Sequence, residues 1–285
     1  MIAVTMLLPL CITACHVKTK VTVVIPQEKL SVLHVPNNVF VKSIQNAKTY
    51  PKGSAVISGV VPHHLIAADL IAGFFESLHG DPYDTVIIIA PDHSSGEGQV
   101  ISSKLNWNIN SGDVVCDTAL LSTIEQFHGV RFMFDNQRLQ NDHSASNLIP
   151  YVQHYLPKAK VIPLLLTNRM DAATAKEFAE QLVTLTQTKK CLVLFSIDFS
   201  HYLSPEVAAQ KDLITRAAIQ TKDYLGISHM NNNNLDCPPA LIIFLRYTEV
   251  ENGTVEILEN TDATKLTKTT AAETTSYFII RGTKQ

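Results

Sequence analysis

Three histidine motifs each follow a continuous apolar run. Val56-Ile57-Ser58-Gly59-Val60-Val61 leads into Pro62-His63-His64, and Val86-Ile87-Ile88-Ile89-Ala90 leads into Pro91-Asp92-His93. Leu192-Val193-Leu194-Phe195-Ser196-Ile197 leads into Asp198-Phe199-Ser200-His201. Imidazole is a strong ligand for Fe, Zn and Cu. Pro62 and Pro91 stiffen the backbone beside His63 and His93, which makes those two histidines candidate metal ligands. His143, in Asn141-Asp142-His143-Ser144, and His201 each have a carboxylate nearby, Asp142 and Asp198. Such a carboxylate fixes a histidine tautomer and raises its basicity as a ligand, or works with it as a general acid and base. His143, His201 and Asp198 are therefore candidate catalytic groups, while Asp142, together with Asp92, is a candidate for orienting ligands. Cys237 lies in Asp236-Cys237-Pro238-Pro239, ahead of a helix start, where the helix N-terminus favours thiolate. It reads as a third metal ligand or a nucleophile. Each group also has a plainer reading: loop histidines without a ligand, Asp142 and Ser144 as helix caps, Cys237 as a buried capping residue. His64, His79, His128, His154 and His229 lack comparable context and read as surface or packing residues.

To meet at one site, these groups need strands that end side by side. Unbroken apolar runs suit parallel strands covered on both faces, and open α/β sheets collect ligands at the carboxyl ends of their strands. Strands are expected over 55–61, 85–90, 99–102, 160–166 and 191–197, with closing strands over 254–258 and 276–281. Helices are expected over 66–78, from the Asp117 cap to 127, from 146 or 147 to 155, and over 171–185. Two more open on prolines, 205–219 and 238–247, a favoured place for proline. Residues 21–25 and 39–43 read as extended, and the Thr-rich stretch 261–275 as a surface loop. The fold class that follows is α/β: a single domain with a central, mostly parallel sheet flanked by helices.

The chain has 285 residues, 46% of them hydrophobic, and a net charge of −3 with no long basic stretch. The length suits one large α/β domain or two small ones, and the charge gives little support to nucleic-acid binding. Residues 1–15 differ from the rest. Ile2 to Leu10 is an apolar stretch of signal-peptide length leading into Ile12-Thr13-Ala14-Cys15, which resembles a bacterial lipobox with Cys15 as the lipidated residue. No Lys or Arg precedes it, although a signal peptide calls for a positive start. The division read from this is a lipoprotein signal peptide over 1–15, an N-terminal extension over 16–50 and the α/β domain over 51–285. It implies an extracytoplasmic protein held at the membrane by an N-terminal lipid; the alternative is a cytoplasmic protein. Cys116, Cys191 and Cys237, an odd number, imply no disulfide framework.

Taken together, the motifs resemble the Memo family, including bacterial members named AmmeMemoRadiSam system protein B. The resemblance runs from about Val56 to the C-terminus. It is carried by Val61-Pro62-His63, Pro91-Asp92-His93, Asp142-His143-Ser144, Ile149-Pro150-Tyr151, Lys160-Val161-Ile162-Pro163-Leu164, Asp198-Phe199-Ser200-His201-Tyr202 and the late Cys237. It implies a fold like the catalytic subunit of class III extradiol dioxygenases, which use non-haem Fe(II). It also implies a metal held by His63, His93 and Cys237, with Fe(II) first and Cu or Zn also admitted. A radical-enzyme partner is implied by the family name alone. The chain departs from the family pattern after His63, where His64-Leu65-Ile66 replaces the usual Ala-Gly-aromatic, and after Cys237, where Pro238 and Pro239 replace a glycine-bearing stretch.

Three functions use these residues. One is a non-haem metal-dependent oxidoreductase with possible oxygen chemistry on an unknown substrate. Another is a non-enzymatic module that handles metal or docks a small molecule or peptide in the same cleft. A weaker third is a hydrolase in which Zn activates water.

Overall fold

The computed structural model describes residues 28–78, 82–94 and 96–284. The leader with Cys15 and the expected extended run 21–25 lie outside the described residues. Among the described residues the main sheet has nine strands. At its centre, Val56–Val61, Cys191–Ser196, Thr85–Pro91 and Lys160–Leu166 lie side by side and parallel, in that order. Val100–Ser102, antiparallel to Lys160–Leu166, and Phe132–Phe134 extend one edge. On the other side Thr274–Lys284 runs antiparallel to Val56–Val61 and also pairs with Phe199–Leu203 and Gly253–Asp262. A small sheet joins Leu30–Ser31, Trp107–Ile109 and Gly112–Val114. Among the described residues no helix is long and apolar enough to cross a membrane.

The central strands are apolar throughout because each face meets a helical layer. Val86 and Ile88 pack on one side with the helices Asn37–Gln45, Ala68–Ser77 and Ile149–Tyr155. Ile87 and Ile89 pack on the other with Ala172–Thr186 and Pro238–Val250. Burying each such side chain contributes about 1.5–3 kcal/mol, so the parallel block is the most strongly driven part of the fold. Asp117 caps its helix as expected, accepting from Leu120 N–H at 3.2 Å, and Asp171 caps the next, accepting from Thr174 N–H at 2.8 Å.

Two expectations are corrected. Residues 39–43 are not extended but lie within the helix Asn37–Gln45. Their β-branched content suggested a strand, yet packing decides. Ser43 is buried, its Oγ donates to Phe40 O at 2.7 Å and accepts from Tyr151 Oη at 2.9 Å, and the Phe40 ring meets Tyr151 edge-on at 5.1 Å. The 261–275 stretch carries a short helix, Ala263–Thr267, because the Asp262 carboxylate caps it by accepting from Lys265 N–H at 3.0 Å.

Gly59, in the first parallel strand, lets Phe74 pack against bare backbone; a Cβ there would lie 2.1 Å from the ring. Gly59→Ala should therefore destabilise the protein by about 1–3 kcal/mol through overpacking, read as a lower denaturant midpoint. An unchanged midpoint would show that Phe74 moves aside freely.

Candidate metal centre

His63, Asp92-His93 and Asp198 emerge from three adjacent parallel strands, so the sheet order places their side chains together. His63 is fully buried. Its N–H donates to Asp198 Oδ1 at 3.2 Å and its carbonyl accepts from Asn147 Nδ2 at 2.9 Å. Its Nδ1 lies 3.1 Å from Ser196 Oγ, and that hydroxyl donates its one hydrogen to Ser144 O at 2.7 Å. Ser196 can thus only accept from the ring. The proton sits on Nδ1, and Nε2 carries the lone pair. Nε2 faces Asp198 Oδ2 at 3.4 Å and Asp236 Oδ2 at 3.5 Å and has no hydrogen-bond partner among the described residues. Burial, followed by the opposing pull of Asp198 and the push of neighbouring imidazoles, brings the His63 pKa down to about 3, so the ring is neutral at physiological pH.

His93 is oriented in the same manner. Its N–H donates to Asp142 Oδ2 at 2.8 Å, and its Nδ1 lies 3.1 Å from Oδ1. The acceptor-only carboxylate fixes the proton on Nδ1 and turns Nε2 toward the site. Burial would raise the Asp142 pKa, but the hydrogen bonds and charge of His93, with Ser144, outweigh it and hold the carboxyl below its usual range. Asp142 also accepts from Ser144 N–H at 2.8 Å, which caps the short helix His143–Ser146. Capping and ligand orientation thus reside in one side chain. His143 opens that helix and stacks on His93, ring centroids 4.6 Å apart. Burial, and then the charge of His93, lowers its pKa.

Donor atoms of His63, His93 and His143 lie within 4.8 Å of one another, and so do those of His63, His64 and Asp198. Of the expected set of His63, His93 and Cys237, the two histidines are brought together, and His143 is the third donor in range. Cys237 caps the helix Pro238–Val250 without a side-chain hydrogen bond and is buried within the apolar core. Its expected drift toward thiolate is reversed: burial, then the charge of Asp236, raises the thiol pKa and outweighs the helix N-terminus. Asp92 does not orient a histidine. Its side chain accepts from Arg138 Nε at 2.9 Å and from Ser94 Oγ at 2.7 Å. Arg138, held by Asp92, lines a cavity of about 470 Å³ together with His93, Asp142 and His143.

His201 stands beside His64, ring centroids 5.9 Å apart, and its Nδ1 is buried without a partner among the described residues. Burial is the main cause of its lowered pKa. It sits between two residues in the left-handed region, Ser200 at φ 25° and Tyr202 at φ 53°. Such backbone persists only where surrounding contacts enforce it. Asp212 supplies them, accepting from Ser200 Oγ at 2.7 Å, Ser276 Oγ at 2.6 Å and Asn260 Nδ2 at 2.8 Å.

Sequence reasoning missed His64 and Asp236. Both have signals that were available: each directly adjoins a singled-out residue, His63 or Cys237. His34 was missed too. Its Nε2 donates to Asn141 O at 3.1 Å and its ring lies 6.1 Å from His143, a contact no local pattern announces.

These features define an α/β protein with a histidine-rich site at the carboxyl ends of adjacent parallel strands. Residues 36–277 match the Memo-like protein family, and the chain belongs to that family. A MEMO1 family protein of Pyrobaculum arsenaticum is 29% identical over 183 residues, covering 61% of this chain and 64% of that protein. One from Archaeoglobus fulgidus is 30% identical over 179 residues, covering 61% and 67%. The chain thus spans about two thirds of the length of these curated relatives. The crystal structure of an uncharacterized protein from Escherichia coli K12 covers 79% of this chain and 99% of its own length at a TM-score of 0.55. At 10% identity that likeness concerns the fold, which is also consistent with the dioxygenase-like architecture implied by the resemblance.

Two substitutions test this geometry. Asp142→Asn should weaken divalent-metal binding by about 10- to 100-fold, measured by calorimetric titration; unchanged affinity would mean that His93 needs no orienting carboxylate. Asp212→Leu should cost about 1–3 kcal/mol in chemical denaturation, because it leaves the buried Ser200 and Ser276 hydroxyls unpaired.

Proposed function

We propose that this chain is a metal-binding Memo-like protein whose ion is held by His63, His93 and His143, with iron as the first candidate and Cu or Zn as alternatives. One observation carries the reading. In a buried setting the His63 lone pair faces two carboxylates at 3.4 and 3.5 Å. A lone pair and a negative oxygen repel at that range in a medium of low dielectric, and a divalent cation beside His63 Nε2, which has no hydrogen-bond partner among the described residues, relieves the repulsion. The tautomers support the same reading, since His63 and His93 each turn an unprotonated Nε2 inward.

With iron bound, the ion would supply redox and oxygen-activating chemistry. The chain's own residues would do the rest. Arg138, held by Asp92, lines the cavity through which a small molecule would reach His93 and His143. His201, neutral and backed by Asp198, is placed to accept or return a proton. A metal-handling role without turnover uses the same ligands. The two differ in whether the loaded protein consumes oxygen in the presence of candidate substrates.

The test is elemental analysis of the anaerobically purified chain, with His63→Ala, His93→Ala, His143→Ala and Cys237→Ala alongside. The expected result is near-stoichiometric metal that is lost in all three histidine variants. Metal lost in Cys237→Ala as well would add sulfur to the ligand set. A parent chain that takes up neither Fe(II), Cu nor Zn would sink the proposal.

A further inference from the structure

The loop after the strand Lys160–Leu166 and the start of the helix Pro238–Val250 line a further cavity, of about 700 Å³. The segment 231–237 borders both this cavity and the histidine cluster. Asp236 Oδ2 faces His63 Nε2 at 3.5 Å, while Asn231 and Asn232 line the cavity and Asn168 Nδ2 donates to Asp236 O at 3.3 Å. Much of the cavity wall is apolar: Met170, Pro238, Pro239 and Ile242 are buried, and Met230 is half-buried. The two prolines stand where the chain departs from the family pattern, and the metal reading makes no use of them. Arg169 lines the same cavity from an exposed position. Arg138, Arg246 and Arg281 hold the carboxylates of Asp92, Glu180 and Glu256. Arg169 has no hydrogen-bond or ion-pair partner among the described residues. The one carboxylate lining the cavity, Asp171, is engaged in capping its helix, accepting from Thr174 N–H at 2.8 Å.

We propose that this cavity is a separate ligand site, for a singly charged carboxylate with an apolar body. Arg169 holds the carboxylate, since a guanidinium fork matches its two oxygens. Met170, Met230, Pro239 and Ile242 pack the body, the methionines adapting to its shape. An apolar wall with few polar groups, at this volume, is the ordinary make-up of a small-molecule site. One guanidinium with the Asp171 charge nearby favours a single negative charge over the nearly two of a phosphate monoester. The site needs no bound ion, so it stands whether or not the histidine cluster holds metal.

The experiment is calorimetric titration of the full chain with octanoate, and with octanol and octyl phosphate for comparison. The variants are Arg169→Gln, Ala173→Trp and His93→Ala, each checked for an unchanged circular dichroism spectrum and thermal midpoint. Arg169 and Ala173 are exposed, so their replacements should fold. Octanoate is expected to bind the parent chain at one site. Arg169→Gln should weaken it by about tenfold or more, and octanol should bind the parent more weakly by a similar factor, because each lacks the charge-assisted hydrogen bonds. Ala173→Trp, which sets an indole at the cavity wall, should block octanoate, while His93→Ala should leave its affinity unchanged. No octanoate binding by the parent, or equal affinity in Arg169→Gln, would overturn the inference. So would loss of binding in His93→Ala, which places the carboxylate at the histidine cluster, or tighter binding of octyl phosphate than of octanoate. None of these outcomes bears on whether the cluster takes up metal.

Discussion

The proton shared between His63 Nδ1 and Ser196 Oγ decides the chemistry of this strand-end edge. Ser196 is the last residue of its strand, and its own hydrogen is spent on Ser144, so the direction of the hydrogen bond is forced. Nε2 becomes a buried base facing buried acids. The rest of the site responds to that constraint. Asp198 gives one oxygen to the His63 backbone, Asp236 approaches from a second loop, and burial with the charge of His93 lowers the pKa of His143. Asp198 and Asp236 divide accordingly. The surrounding imidazoles, with the His64 hydrogen bond, hold Asp198 below the usual range against burial, while Asp236 is pushed up by burial and by the charge of Asp198. Two carboxylates this close do not both ionise readily.

Sheet order makes the constraint possible. The three strands that carry His63, Asp198 and His93 are neighbours in space but far apart in sequence. Right-handed crossovers between parallel strands carry helices to both faces, so the apolar runs are buried and their polar ends share one edge. The site is a by-product of a core that would form for hydrophobic reasons alone. This is why a family can keep the scaffold while the residues around the edge vary.

Much of this was legible in the sequence. The apolar runs located the parallel strands to within a residue, since nothing else buries six consecutive apolar side chains so economically. The Pro-His motifs located His63 and His93, because proline marks where a strand stops. The same reasoning does not show the burial of Cys237, nor that Asp92 pairs with Arg138, 46 positions away. It failed at residues 39–43 because Ser43 and Phe40 owe their helical setting to Tyr151. It passed over His64, whose adjacency to His63 was its one local signal. The partners that place Asp92, residues 39–43 and His64 lie far away in sequence, where local pattern does not reach.

The strand Thr274–Lys284 touches three others, including the one that ends in His63 and the one that bears His201. In sequence it follows every other described strand. Without it the Val56–Val61 strand has an open edge, and the strand that bears His201 lacks the neighbour that holds Ser200 and Tyr202 in their left-handed backbone. The pocket therefore waits on pairings of high sequence separation, which places it among the late, non-local steps of folding.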